Sequence, residues 1–296
     1  MQLTYPHHIL KHATIQLRYH AHTAILLTIA DLKTIFFPIS VFACATAPLH
    51  SVSRLFMGLA WIWIHQLMCN ISNQARGAAE DALNKPWRPL PAGRITERQA
   101  LALRWGSAAL CIAWSAMYGA DLVLPSLGLF LTTVLYDDLG FARHYIGKNL
   151  CNIGGYTTFE IGATKIMGFN SRMDHIAVAA VCISGFLIFT TIQAQDFADV
   201  EGDKALHRVT FPIYAPEFSR VATLAAIVGW SLFLSWFWDI GRAYSFGLIA
   251  LGAFVGLRYY LQRTTAEDRL SFLFYNIWLM TVHILPFNAR TGFMRL

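Results

Sequence analysis

From Ile176 to Gln195 the chain runs for 20 residues without an acid or a base, and about 20 apolar residues let a helix cross the hydrocarbon of a bilayer. Such a segment has few alternatives. In lipid every backbone N–H and C=O must find its partner within the structure, which leaves helices and closed barrels. Comparable runs recur, so spans are expected near 22–46, 52–72, 98–119, 121–137, 150–168, 174–195, 219–238, 243–261 and 270–287. Charged residues make up 14% of the chain and hydrophobic ones 56%, against roughly a quarter charged in soluble domains. The expected fold class is therefore all-α: a polytopic membrane protein with nine transmembrane helices. A short segment over 1–21 precedes a single transmembrane domain over 22–296.

The 23 Lys and Arg outnumber the 17 Asp and Glu by six, and the bases are unevenly placed. Arg76, Lys85, Arg88, Arg94 and Arg98 lie between the second and third expected spans, Arg143 and Lys148 between the fourth and fifth. Lys204, Arg208 and Arg220 follow between the sixth and seventh, and Arg258, Arg263 and Arg269 between the eighth and ninth. The alternate loops hold only Arg172 and Arg242. The positive-inside rule then puts the N-terminus and the basic loops in the cytosol. Orientation accounts for the excess charge; no nucleic acid and no protein partner is implied, and the lipid bilayer is the surrounding medium. The first twenty residues lack an uninterrupted apolar stretch, so no signal peptide is predicted. The five cysteines show no paired spacing that suggests disulfides or zinc.

Two acidic stretches stand against this oily background: NQARGAAEDALNKPWRPLPAGRIT over 73–96 and QAQDFADVEGDKALHR over 193–208. Four expected spans separate them, and an even number returns the chain to the same face. At about 100° per residue, Asp196, Asp199 and Asp203 fall within one sector of about 60° on a continuing helix, and Asn73, Glu80 and Asp81 share a face of theirs. Oxygen ligands without His or Cys suit Mg²⁺, which keeps several waters and is completed by substrate phosphates. Bases follow each run, Lys85 and Arg88 in the first, Lys204 and Arg208 in the second. Carboxylates for a metal and bases for oxyanions, at the mouth of an apolar cavity, fit a prenyl diphosphate.

On these residues the chain resembles the UbiA superfamily of intramembrane prenyltransferases. That superfamily carries N-x-x-x-D-x-x-x-D after its second helix and D-x-x-x-D or D-x-x-D-x-x-x-D after its sixth. Asn73 and Asp81 match the first pattern, and Asp196, Asp199 and Asp203 the second. Gly77 stands where the middle aspartate is expected, and Glu80 is the nearest substitute. The wording of both stretches is most similar to the fungal UbiA-type terpene cyclases, over about Asp31 to Pro286. Tyr145 and Lys148 match a Y-x-x-K element that the resemblance assigns to the diphosphate. The resemblance implies a bundle of nine helices around a central cavity, Mg²⁺ as cofactor, and a prenyl diphosphate substrate. It also implies a membrane-bound terpene cyclase acting on farnesyl diphosphate first and geranylgeranyl diphosphate next. The alternative is a prenyltransferase that joins the same donor to an acceptor. A eukaryotic source would place the protein in the endoplasmic reticulum membrane, with its mouth cytosolic.

A carbocation formed in such a cavity needs dryness and π-faces, each worth about 0.5–2 kcal/mol. Tyr136, Tyr156, Phe159 and Phe189 are the aromatic candidates for its walls. Glu160 is also expected at the cavity, since an ionisable group inside a span is costly without a polar surrounding; a tie to Lys165 or Asn152 is the alternative. Asp31 and Lys33 are read as helix-to-helix ties, and His65 as a neutral, hydrogen-bonded core residue. A transporter or lipid-binding bundle is the rival from another class, and it has no need of paired metal-binding carboxylates at one face.

Overall fold

The computed structural model describes residues 5–169 and 172–295, with side chains from residue 11 onward. Its long helices start at local capping signals. Ser51 accepts from the Arg54 N–H at the head of α3 (Val52–Arg76), and Thr96 with Gln99 forms a capping box at α5 (Glu97–Ala116). Asp174 and Thr264 do the same for α8 (His175–Thr191) and α13 (Thr265–Ile284). In each case a side-chain oxygen satisfies an N–H that the first turn leaves orphaned. The remaining helices are α1 (Tyr5–Thr28), α2 (Phe37–Thr46), α4 (Ala78–Asn84), α6 (Ala120–Thr133), α7 (Tyr145–Met167), α9 (Val200–Ala205), α10 (Phe211–Tyr214), α11 (Pro216–Phe237), α12 (Arg242–Leu261) and α14 (Pro286–Thr291).

Among the described residues, seven segments are long and apolar enough to cross a membrane, against the nine expected. The two that fall short are α5 and α7. Both are long, but α5 carries Arg104 and α7 carries Lys148, Asn149, Asn152 and Glu160. Those polar groups are turned inward: Arg104 is 2% exposed and bound to Asp138, and Lys148 and Glu160 are buried. The seven segments come close to the expected nine, and the inward polar groups of α5 and α7 account for the difference.

Successive helices pack side by side, α3 on α5, α5 on α6, α6 on α7, α7 on α8, α11 on α12 and α12 on α13, and α13 returns to α2. Helix α7 also touches α2 and α3, which puts it at the centre. A closed ring of hydrogen bonds ties α3, α5 and α6. Trp61 Nε1 donates to Ser115 Oγ, which lies 2.6 Å from Ser126 Oγ; Ser126 Oγ is 2.7 Å from His65 Nε2, and His65 Nδ1 is 2.8 Å from the Trp61 carbonyl. A carbonyl only accepts, so His65 carries its proton on Nδ1 and takes the Ser126 hydroxyl proton on Nε2. All four residues are buried.

Two π-helical turns interrupt the bundle, Leu32–Phe36 between α1 and α2 and Val134–Asp138 after α6. The first has a cause in Pro38, which lacks the N–H that an α-helix would direct to the Thr34 carbonyl. That carbonyl instead accepts from the Tyr156 hydroxyl on α7. Both turns border the same cavity.

Candidate functional site

A cavity of about 540 Å³ opens where the two acidic stretches meet. Six carboxylates (Asp31, Glu80, Asp81, Asp137, Asp196, Asp199) and six cationic side chains (Lys33, Lys85, Arg88, Lys148, Arg208, Arg269) line it. Its α7 wall runs from Lys148 through Cys151, Asn152, Gly155 and Tyr156 to Phe159, a rise of about 16 Å. Charge therefore gives way to apolar and aromatic side chains within three turns, and Ile39, Leu129 and Phe272 complete the greasy part.

The first acidic stretch is bent rather than continuous. Helix α3 ends at Arg76, Gly77 caps it, and α4 begins at Ala78. Asn73 lies on one helix and Glu80 and Asp81 on the next, yet all three line the cavity. The second stretch departs further from the single helix expected. Short 3-10 turns over Ile192–Gln195 and Phe197–Asp199 precede α9, so the three aspartates do not share one α-helical sector. Asp196 and Asp199 line the cavity, whereas Asp203 is buried behind it, 3.9 Å from Lys148 Nζ and 3.5 Å from Arg208 Nη1.

Arg208 joins the stretches, with Nη1 2.6 Å from Glu80 Oε2 as well as 3.5 Å from Asp203 Oδ1. Gly202 lies against Asn84, where a β-carbon would be 2.2 Å from Nδ2, so the Asn84 amide would have to move to admit one. Burial pushes the Glu80 carboxyl up from its ordinary value and Arg208 opposes the shift; burial raises Asp81 likewise, opposed by Arg88. Lys148 Nζ lies 2.7 Å from Asp196 Oδ1.

The donor set fits a hard divalent cation. Asp196 Oδ2 is buried and accepts no hydrogen bond, and Asp203 Oδ2 has only Lys148 Nζ at 3.9 Å, a costly state for a carboxylate oxygen unless something positive meets it. Among the described residues, no three His, Cys, Asp or Glu side chains gather tightly enough to hold a metal ion by themselves. Oxygens from a ligand would have to complete the shell, as is usual for Mg²⁺ bound with phosphates.

Several expected site residues lie elsewhere. Tyr145 stacks on Tyr214 at 4.8 Å and on Phe211 at 5.7 Å, outside the cavity lining, because the paired backbone of Tyr145 and Val209 draws it to α10. Tyr136, brought in by the second π-turn, lines the cavity. Lys204 is exposed on the outer side of α9. Phe189 is 38% exposed, on the outward stripe of α8 with Phe186. Glu160 lies one turn beyond Tyr156 and does not line the cavity; Ser184 Oγ donates to its Oε1 at 2.5 Å and His283 Nε2 is 3.7 Å away, tying α7, α8 and α13. Arg88 lines the cavity, but its charge is engaged: Nη1 meets both oxygens of Asp81 at 2.8 and 3.0 Å, and Nη2 lies 3.4 Å from Asp31 Oδ2. Asp31 and Lys33 are cavity residues rather than helix ties, and Asp137 and Arg269 join them without any sequence motif to announce them.

With this geometry in view, the chain compares with known proteins as follows. It is 27% identical over 269 residues to fumagillin beta-trans-bergamotene synthase of Aspergillus fumigatus, covering 90% of this chain and 92% of that one. It is 29% identical over 272 residues to a diterpene cyclase of Hericium erinaceus, covering 88% and 86%. Its fold is that of a UbiA homolog from Archaeoglobus fulgidus solved with GPP and Mg²⁺, with a TM-score of 0.66 at 16% identity over 89% of this chain and 99% of that one. The model of the UbiA prenyltransferase family matches residues 34–278; two acid-bearing segments closing on one intramembrane cavity are thus set in a chain that belongs to the UbiA prenyltransferase family.

Proposed function

We propose that this protein is a membrane-bound terpene cyclase that ionises a linear prenyl diphosphate and closes it to a cyclic hydrocarbon plus diphosphate. Farnesyl diphosphate is the favoured substrate and geranylgeranyl diphosphate the next. The observation that carries the reading is the junction of the two acidic stretches through Glu80, Arg208 and Asp203 at the charged end of a cavity whose far wall is aromatic. One relative is named a bergamotene synthase and another a diterpene cyclase, which supports closure over transfer, although a further Hericium erinaceus relative is named a polyprenyl transferase.

Asn73, Glu80, Asp81, Asp196 and Asp199 would hold Mg²⁺ together with oxygens of the diphosphate, and Asp203, behind the lining, would hold Lys148 and Arg208 beside them. When bound, the ion draws electron density from the diphosphate and stabilises it as a leaving group. Lys85, Lys148 and Arg208 add positive charge on the same side of the chamber and hold the departing anion. The bond between C1 and the diphosphate oxygen breaks with its electron pair leaving on oxygen. A distal double bond then attacks the cationic carbon, and the released diphosphate takes up the proton whose loss gives the neutral product. Tyr136, Tyr156, Phe159 and Phe272 line the chamber as aromatic partners for that cation, and the apolar wall keeps water from trapping it as an alcohol.

The single transmembrane domain over 22–296 has its mouth and N-terminus towards the cytosol, by the distribution of basic loops. The likeness to fungal proteins favours the endoplasmic reticulum membrane. The test is an incubation of membranes bearing the protein with Mg²⁺ and C10, C15 or C20 prenyl diphosphate, without acceptor. A cyclic hydrocarbon from one donor is expected. Turnover that appears only once an aromatic or other acceptor is added would establish the prenyltransferase instead.

A further inference from the structure

The first acidic stretch lacks a carboxylate at Gly77, and a carboxylate from another helix stands against its leading member. The second π-turn, Val134–Asp138, supplies it. Such turns are rare and frequently lie at functional sites. This one turns Asp137 to the cavity side and leaves Asp138 to Arg104 and Arg76, at 3.0 and 2.9 Å. Asp137 Oδ2 accepts from Ser72 Oγ at 2.6 Å, and Oδ1 accepts from Asn73 Nδ2 at 3.3 Å. Both oxygens are therefore engaged by neighbouring residues of α3.

An ionised carboxylate can only accept hydrogen bonds, so it decides which end of the Asn73 amide it meets. The NH₂ group goes to Asp137. Oδ1, the end that can bind a cation, is left unclaimed by Asp137, on a residue that lines the cavity. An asparagine without such a neighbour can present either end, and its NH₂ end repels a cation. Gly77 sharpens the need, because it offers no side chain of its own and leaves Asn73, Glu80 and Asp81 as the donors of this stretch.

We propose that Asp137 is the positioning residue of the first acidic stretch, locking Asn73 with Oδ1 facing the ion. The inference rests on the metal-dependent reading above. Partners that orient a metal ligand typically change metal affinity by about 10–100-fold when removed.

Mn²⁺ binding to the purified full-length protein in detergent, followed by electron paramagnetic resonance without substrate, tests it apart from activity. Asp137→Ala is expected to weaken Mn²⁺ binding about tenfold or more. Asp137→Asn keeps an acceptor for Asn73 Nδ2 and a donor for Ser72 Oγ, and is expected to bind within about threefold of the parent, well inside that orienting effect. Should Asp137→Ala not fold, Asp137→Leu fills similar space without an acceptor and takes its place. A folded Ala or Leu variant that binds Mn²⁺ like the parent overturns the proposal. So does an Asn variant as weak as Ala, which would make Asp137 a ligand in its own right. Absence of binding in the parent as well as every variant would instead remove the metal-dependent function on which the proposal stands.

Discussion

The two ends of the bundle treat their polar groups in opposite ways. At the end away from the cavity mouth, the charged groups and the Asn288 amide are matched: Arg290 meets both oxygens of Asp174 at 2.8 and 2.9 Å and also bonds the Thr46 carbonyl. Asn288 donates to the Trp238 and Asp239 carbonyls and accepts from the Met294 N–H. At the mouth, Asp196 and Asp203 are 1% exposed and still hold oxygens without a hydrogen bond, beside helices broken into 3-10 and π turns. One end spends its polar groups on holding helices together, and the other keeps valences open for a ligand.

The strongest way to break that contrast is to remove Lys148. It is the buried cation beside Asp196 and near Asp203, and deleting one partner of a buried pair typically costs about 3–5 kcal/mol because the other charge is stranded. Lys148→Met is expected to lose stability of that order in thermal unfolding, and Mg²⁺ is expected to restore part of it by taking the place of the lost charge. Arg290→Met, at the matched end, should show no such metal dependence. If Mg²⁺ rescues neither variant, the mouth is not open to a cation.

Turnover separates the ends next. Asp196→Ala is expected to lower it on the order of 10²–10³-fold, the size seen when one preorganised charge-stabilising group is removed, while the protein remains folded in the membrane. Asp174→Asn should leave turnover unchanged. A steady-state assay of both variants decides it, and equal loss in the two would dissolve the distinction.

This contrast was partly visible in the amino-acid order. The acidic stretches announce themselves because charge is expensive beside lipid, and their return to one face follows from counting spans. The π-turns do not announce themselves, since an inserted residue leaves no periodic trace; Asp137 looks like any loop acid in VLYDDLG, and Asp31 and Lys33 look like ties in a helix that is in fact broken ahead of Pro38. Tyr145 has the right spacing from Lys148 yet is captured by Tyr214, a contact between residues far apart in sequence. Phe189 and Phe159 are alike in composition, and the outward or inward turn of their helices separates them. Glu160 was legible as a costly group, but its partners Ser184 and His283 come from two other helices.

Packing beside the closed hydrogen-bonded ring should be unforgiving where the cavity wall at Gly155 is permissive. A β-carbon at Gly162 would lie 2.2 Å from Trp61 Cη2, and Trp61 cannot retreat easily because its Nε1 is bonded to Ser115 within the closed ring. Gly162→Ala is therefore expected to cost about 1–3 kcal/mol, as overpacked cores do, read as a lowered unfolding midpoint. At Gly155, which lines the cavity, an added β-carbon meets nothing within 4 Å. Gly155→Ala should keep the midpoint and alter the products instead, since it narrows the chamber.

The smallest effect belongs to the Asp174–Arg290 pair, and its sign with pH is fixed. Hydrogen bonds from Arg290 hold the Asp174 carboxyl down to about 2 from an ordinary 3.8, against a smaller opposing effect of burial. A carboxyl depressed in the folded state adds stability that is fully present above its unfolded value and lost as pH falls through the folded one. The Asp174 side chain is 45% exposed, so solvent screening keeps the pair's worth within about 0–1 kcal/mol. Asp174→Asn should then lie below the parent in unfolding midpoint by the same margin at pH 7 and pH 5. The gap should narrow below the ordinary value of 3.8, as the parent loses what the variant never had. A gap that widens on acidification would mean that Arg290 does not hold Asp174 in its charged form.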